Sequence, residues 1–190
     1  FNPDIIHAAA YKHVPMLEGH NAFVGVRNNV LATLTTAGAT EGRYTLISSD
    51  KAVNPSCIMG ASKRLCELIT TELGGSIVRF GNVRDSSGSV IPAFRQQIAE
   101  GLVRVTHPEV ERYFISIPEA VRLVLAASTL PQATYMLEME KLKILDLARK
   151  MIAESGLDVP IEFTGLRPGE KLVEEIQYPA ERKVATGYKG

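Results

Sequence analysis

The chain has 190 residues, enough for one sizeable core or for one domain with a small appendage. Apolar residues make up 45% and charged residues 22%, with 21 Lys plus Arg against 21 Asp plus Glu; this ordinary, neutral balance argues against a broad nucleic-acid footprint, which needs a basic excess. No apolar run approaches the roughly 18 residues of a membrane span, no leader-like order opens the chain, and Cys57 and Cys66 lack disulfide-framework or zinc spacing, so no metal site and reduced thiols in a cytoplasmic setting are expected.

Residues 4–10 pass from Ile5-Ile6-His7 to Ala8-Ala9-Ala10. They read as a short buried strand whose small carboxyl-end residues let a flat ligand approach the backbone. His7 is expected to be a core residue, while His13, beside Lys12, is the better site candidate. One long helix is expected over residues 22–37, and a second buried strand over 44–47. A Pro-bearing loop follows, and then a helix over 58–73 that Gly74-Gly75 stops. Residues 77–80 read as a third strand with a Gly-containing loop after it. Short apolar strands alternating with helices predict a parallel, doubly wound sheet, whose ligands sit beyond the strands' carboxyl ends. Residues 8–12, 49–51 and 81–83 all fall at such ends.

The second half is expected to be a smaller mixed α/β lobe. It has helices over 91–100, 118–127 and 144–155, the second opened by Pro118 and the last closed by Gly156. Short strands are expected at 103–105, 113–115, 133–139 and 161–164. The tail from 177 to 190 is polar and aperiodic, and is expected to be loosely held.

The run Ser48-Ser49-Asp50-Lys51, followed by Met59-Gly60-Ala61-Ser62-Lys63, gathers a hydroxyl, a carboxylate and two amines at one strand-to-helix junction. Such a set can move protons around a sugar ring. Ser49 can bond a sugar hydroxyl; Asp50 serves as an acid if burial raises its pKa; Lys51 serves as a base only if burial or a cation such as Lys63 depresses its pKa. The plainer readings are an ordinary turn at 49–51, and for Met59 and Lys63 a buried gap-filler and a solvated charge. Arg167, in Arg167-Pro168-Gly169-Glu170-Lys171, can hold a phosphate with two parallel donors, and Arg79, Arg84 and Arg112 are further candidates. Arg79 lies within a strand and reads equally as an internal ion-pair partner.

The strings HAAAYKHVPMLE, SSDKAVNPSCIMGASKRLCE, VRFGNVRDSSGSVIPAFRQQIAEG, VTHPEVERYFISIPEAVRLVL and GLRPGEKLVEEI resemble the UDP-N-acetylglucosamine 4,6-dehydratases of the capsule and polysaccharide-biosynthesis type, in the extended short-chain dehydrogenase/reductase superfamily. The resemblance runs from residue 1 to about 176. It implies an α/β fold: the carboxyl-terminal part of a doubly wound Rossmann-type parallel sheet plus a smaller mixed α/β substrate lobe. Residues 1–90 would be a partial NAD-binding domain carrying the active site, 91–176 mainly a UDP-sugar-binding lobe, and 177–190 a tail.

The implied reaction oxidises the sugar's fourth carbon with NAD, removes the fifth-carbon proton and the sixth-carbon hydroxyl as water, and returns the hydride to the sixth carbon, regenerating NAD. By resemblance Ser49 addresses the fourth hydroxyl, Asp50 is the acid for the leaving hydroxyl, Lys51 the base at the fifth carbon, and Lys63 the lysine on the nicotinamide ribose. Met59 replaces the superfamily's usual Tyr, as in one branch of the family. Ala8, Ala9, Ala10 and Asn29 are assigned to the cofactor side, and Lys12, His13, Asn82, Arg112, Arg167 and Glu170 to the nucleotide sugar.

Four positions depart from the pattern: Arg84-Asp85 for Leu-Gly, Val173 for Tyr and Glu140 for Gly. The glycine-rich loop and the acidic residue for the adenosine ribose are not in this chain. A fragment of a longer protein, or a homo-oligomer that covers the open sheet edge, is therefore expected. Membrane attachment is expected only through a missing amino-terminal region. A UDP-sugar 4-epimerase and a non-catalytic UDP-sugar-binding module are the competing readings; an epimerase has no need of the Asp50 and Lys51 acid–base pair.

Overall fold

The computed structural model describes residues 2–186. Strand β1 (Ile5–His7) is followed by exposed Ala8 and Ala9 and half-buried Ala10. Helix α1 (Val14–Leu17) carries Pro15 in its first turn, where the missing N–H is harmless. The single helix expected over 22–37 is in fact three pieces: α2 (Ala22–Val26), a π-helical turn (Arg27–Leu31) and α3 (Ala32–Gly38). The wide turn contains Asn29, whose fully buried amide bonds Tyr11 O at 3.2 Å, Tyr11 N at 2.8 Å and Ser62 Oγ at 2.9 Å. A π turn of this kind interrupts a helix where a side chain has a specific task.

Strand β2 (Tyr44–Ile47), helix α4 (Ile58–Glu72) and strand β3 (Ser76–Val78) come next. Helix α4 starts at Cys57, whose Sγ accepts from Gly60 N at 3.3 Å, and gives way at Gly74, where φ is +77°. The second half runs β4 (Asn82–Val83), α5 (Val90–Glu100), β5 (Val103–Val105), β6 (Glu111–Ile115) and α6 (Ile117–Ala127), then β7 (Thr134–Tyr135), β8 (Glu140–Lys143), α7 (Ile144–Ser155) and β9 (Ile161–Phe163). Helix α6 opens on a capping box, with Ser116 Oγ accepting from Glu119 N and Glu119 Oε2 accepting from Ser116 N.

The main sheet has the order β1-β2-β3-β7, all parallel. Its central strands are buried on both faces, as parallel sheets require. Leu46, Ile77 and Tyr44 pack with Cys66 and Ala37 on one side, while Val78 packs with Leu123, Val124 and Ala127 on the other. The strand expected over 133–139 is only β7, and it pairs with β3. Residues 117–135 thus return to the first sheet, although they fall in the span expected mainly for sugar binding.

The remaining strands form two small sheets, β4-β6-β8 and β5-β9. They share a core of Phe94, Ile98, Val103, Val105, Val110, Phe114 and Ile144 with α5 and α7. The segment expected to be a loose tail is held at its start, while residues 182–186 are exposed. Tyr178 and Glu181 are bonded into the body, and residues 187–190 lie outside the described residues. No helix among the described residues is long and apolar enough to cross a membrane.

Candidate active site

The chain leaves β2 at its carboxyl end with the ladder continuing for two more bonds, Ser48 N to Val78 O at 2.7 Å and Asp50 N to Phe80 O at 3.1 Å. It then makes one tight turn over Asp50–Ala52. Ser49 caps the turn: its Oγ accepts from Lys51 N at 3.3 Å and donates to Asp50 Oδ1 at 2.8 Å. The ordinary turn reading and the chemical one therefore coexist in this serine.

Asp50 is fully buried. Its Oδ1 also accepts from Lys51 Nζ at 3.1 Å, whereas its Oδ2 is buried with no hydrogen-bond partner among the described residues. Such an orphaned carboxylate oxygen is unfavourable unless a ligand supplies the donor.

The turn is anchored from beneath. Ser48 Oγ donates to Glu67 Oε1 at 2.6 Å, and Arg79 clamps Glu67 with two bonds, Nε to Oε1 at 3.0 Å and Nη2 to Oε2 at 2.9 Å. Arg79 is thus the internal ion-pair partner, not a phosphate ligand; burial alone lowers its pKa, but Glu67 and Glu181 outweigh that and raise it. Helix α4 touches the turn closely enough that a Cβ on Gly60 would stand 2.2 Å from the Lys51 carbonyl oxygen. Only glycine permits that approach.

Helix α4 brings up Lys63, which is not a solvated charge. It is 7% exposed, and its Nζ donates to Ile47 O at 2.8 Å, at the end of β2. Burial pushes its pKa down against the pull of Cys66 and Glu67. Both lysines therefore stand at the carboxyl end of β2. Met59 packs with Leu17 and Cys57, in the gap-filling role rather than among the proton-handling groups.

Lys51 departs from its expected state. Burial pulls its pKa down, but Asp50 and Glu174 together outweigh burial, and the net shift is upward. The two carboxylates thus favour the ammonium form of Lys51, whereas the base role implied by resemblance calls for the free amine.

Of the cofactor-side residues, Ala8 to Ala10 form an open ledge past β1. Asn29 supports the site from behind, since its amide is taken up by Tyr11 and Ser62. His7 is buried, as expected; burial first and Lys63 second lower its pKa, and its Nε2 has no partner among the described residues.

Of the substrate candidates, Lys12 reaches the loop before α5, with Nζ donating to Ser87 O at 2.8 Å. His13 stands against Gly88 of the same loop, where an added Cβ would meet its ring at 2.7 Å. The side chains of Asn82 and Arg167 make no hydrogen bond or ion pair among the described residues, and Arg167 is exposed. Arg112 and Glu170 bind each other at 2.9 Å, so in this state neither is free for a ligand. Arg84 and Glu140, two of the departures from the family pattern, form an ion pair with each other across a cleft of about 390 Å³ that Phe114, Ser116 and Met139 also line.

Sequence reasoning missed a strap formed by residues 167–181. It crosses the turn with a succession of bonds: Ser56 Oγ to Gly169 O at 2.8 Å, Lys171 Nζ to Val53 O at 3.0 Å, and Tyr178 OH to Ala52 O at 2.8 Å. Gly169, at φ +78°, passes so close to Cys57 that a Cβ there would lie 2.7 Å from Cys57 Cβ. The strap puts Glu174, 5% exposed, 3.5 Å from Lys51 Nζ. An aperiodic polar stretch gives no signal of such a contact; the acidic doublet Glu174-Glu175 after the Arg-Pro-Gly-Glu-Lys run was the one available hint.

The sequence model of the family described as "Polysaccharide biosynthesis protein" matches residues 2–190. The chain belongs to this family. It is 50% identical to the capsular polysaccharide biosynthesis protein CapD of Staphylococcus aureus, a match that covers 90% of this chain and 32% of that protein. The chain thus spans about a third of the length of that relative. Matches at lower identity, each covering 90% of this chain, include a UDP-glucose 4-epimerase of Rickettsia canadensis at 32% (55% of that protein) and the inverting UDP-N-acetylglucosamine 4,6-dehydratase of Campylobacter jejuni at 29% (54% of that protein). Among solved structures, Pen from Bacillus thuringiensis superposes with a TM-score of 0.86 at 33% identity, over 92% of this chain and 60% of that one. The fold is Rossmann-type α/β, in agreement with the parallel order of the main sheet.

Proposed function

We propose that this chain carries the proton-transfer and sugar-binding part of a NAD-dependent UDP-sugar 4,6-dehydratase, acting on UDP-N-acetylglucosamine in polysaccharide or capsule biosynthesis. The observation that carries the reading is the buried Asp50 carboxylate, with one oxygen saturated by Ser49 and Lys51 and the other without a donor. An acid–base pair of this kind is what removal of water from a sugar requires, and simple epimerisation leaves it without a task.

The residues present fit the nicotinamide end of the cofactor. Small Ala8 and Ala9 leave the end of β1 open, and Lys63 holds a buried amine at the end of the neighbouring strand. Bound NAD would supply the oxidation at the substrate's fourth carbon and the hydride returned at its sixth. Lys63 would bond its ribose, and Asn29 would keep the ledge and α4 in register through Tyr11 and Ser62.

We assign the acid and base roles the other way round from the resemblance, on the two carboxylates beside Lys51 and the open oxygen of Asp50. Lys51 starts with the proton, and Asp50 starts with an open acceptor oxygen. Once the fourth carbon is a ketone, the fifth-carbon proton is acidic; Asp50 Oδ2 takes it, the electron pair forms the double bond, and the sixth-carbon hydroxyl leaves with a proton from Lys51 as water. The proton on Asp50 Oδ2 would then go back to the fifth carbon as the sixth becomes a methyl group, and Lys51, 3.1 Å from Asp50 Oδ1, would regain its proton from water. Ser49 orients the fourth hydroxyl, and Met59 closes the apolar floor. Asn82 and Arg167 offer free donors to the nucleotide, with Lys12 and His13 on the loop nearby.

The test is mass spectrometry of the product from the complete gene product with UDP-N-acetylglucosamine and NAD. Loss of one water is expected; an unchanged mass with inverted fourth-carbon stereochemistry would establish the epimerase instead. Lys51→Ala is expected to lower dehydration by roughly 10²–10⁴-fold with the fold intact by circular dichroism, the range of a positioned acid or base.

A further inference from the structure

Lys51 is held from two sides by two distant stretches of the chain. Asp50 Oδ1 lies 3.1 Å from its Nζ on the turn itself, and Glu174 Oε1 lies 3.5 Å away on the strap. This ion pair is the one polar contact of the Glu174 side chain among the described residues. The strap is already fastened over the turn by bonds to Val53, Ser56 and Ala52, none of which involves Glu174. A buried carboxylate is a poor fastener, because an apolar side chain in its place would avoid the loss of hydration. Its charge is therefore directed at the amine.

We propose that Glu174 is a positioning residue for Lys51: it holds the amine against Asp50 and keeps the proton on it. The inference rests on reading Asp50 and Lys51 as the elimination pair, although the contact can be tested without turnover. The groups facing Lys51 come from four elements. Asp50 on the turn and Glu174 on the strap favour the ammonium, Arg112 on β6 disfavours it, and Cys57 at the start of α4 is a thiol that burial keeps protonated. Removing Glu174 leaves Asp50 alone against burial and Arg112.

Trace acetylation of the complete gene product over a range of pH, followed by mass spectrometry of the Lys51 peptide, reports where this amine loses its proton. Glu174→Gln is expected to move the Lys51 midpoint down by about one pH unit and to leave that of Lys63 in place. Glu174→Asp is expected to recover part of the shift. Glu175→Gln leaves a single acceptor oxygen for the strap bonds from Asn54 and Lys171 without touching the carboxylates at Lys51, and is expected to leave the midpoint unchanged. An unmoved Lys51 midpoint in Glu174→Gln, or equal shifts in Glu174→Gln and Glu175→Gln, overturns the proposal. With UDP-N-acetylglucosamine and NAD, Glu174→Gln is further expected to lower the alkaline limb of the kcat profile by the same unit, with KM little changed. A protein whose Lys51 midpoint shifts but which releases no dehydrated sugar keeps the assignment of Glu174 and loses the dehydratase reading.

Discussion

The turn after β2 and the strap that crosses it meet at one ammonium, and they are built on opposite physical plans. The turn hangs from the sheet and from a buried ion pair, with Ser48 on Glu67 and Glu67 on Arg79, whose side chains are 0% and 1% exposed. The strap contains no regular element; its one ladder contact is the bridge between Glu111 and Val173, and most of its bonds are half-exposed. Segments with few buried contacts open locally at low free energy, whereas those tied to the core open only with it. Lys51 therefore has one fixed partner, Asp50, and one on a movable support, Glu174.

The widest separation between the two plans is expected at Arg79. Arg79→Met leaves the buried Glu67 only Ser48 and the part-exposed Arg64, and also frees the strap at Ile176 and Glu181. It is expected to lose about 3–5 kcal/mol in urea denaturation; an unchanged midpoint would mean that the turn is not anchored there. Gly60→Ala strikes the turn alone. The methyl collides with the Lys51 carbonyl, and a loss of about 1–3 kcal/mol is expected together with a larger fall in kcat than in stability. Glu175→Ala strikes the strap alone, by removing its exposed bonds to Asn54 and Lys171. The denaturation midpoint should hardly move, while limited proteolysis across residues 167–181 should speed up; equal cleavage in parent and variant would show the strap to be as fixed as the turn.

The smallest effect is confined to acid. Burial, then Lys63, lowers the pKa of His7, so the unfolded chain binds this proton more readily than the folded one. The stability this contributes is present above the ordinary imidazole value of 6.5 and is lost as the pH falls through the lower folded value. His7→Gln should flatten that acid slope in denaturation measured at a series of pH values.

Legibility followed the same division. Residues 44–47 and 58–73 could be located because apolar runs and helical spacing are local signals, and Gly74 supplied the stop. Ser49, Asp50, Lys51 and Lys63 emerged because a strand end and the following helix lie close in sequence. The π turn at Arg27–Leu31 did not, since its cause is the pairing of Asn29 with Tyr11 and Ser62, which no periodicity records. Arg112 and Glu170 were visible as charges, but not as each other's partner. The upward shift of Lys51 draws on Asp50 first and then on Glu174, which reaches it from far along the chain. Residues 177–181 read as a tail because Tyr178 is held by the cations of Arg64 and Arg79 above its ring rather than by an apolar pattern.

The strap lies more than a hundred residues downstream of the turn, and this order has a consequence during synthesis. A ribosome releases β2, the turn and α4 well before residues 167–181, and the parallel sheet can begin to assemble in that interval. Until the later stretch arrives, Lys51 has a single counter-ion, and the backbone carbonyls of Ala52 and Val53 wait for Tyr178 and Lys171. Closure over the turn thus waits for the strap, and a copy interrupted before residues 167–181 would betray itself to a protease at that loop.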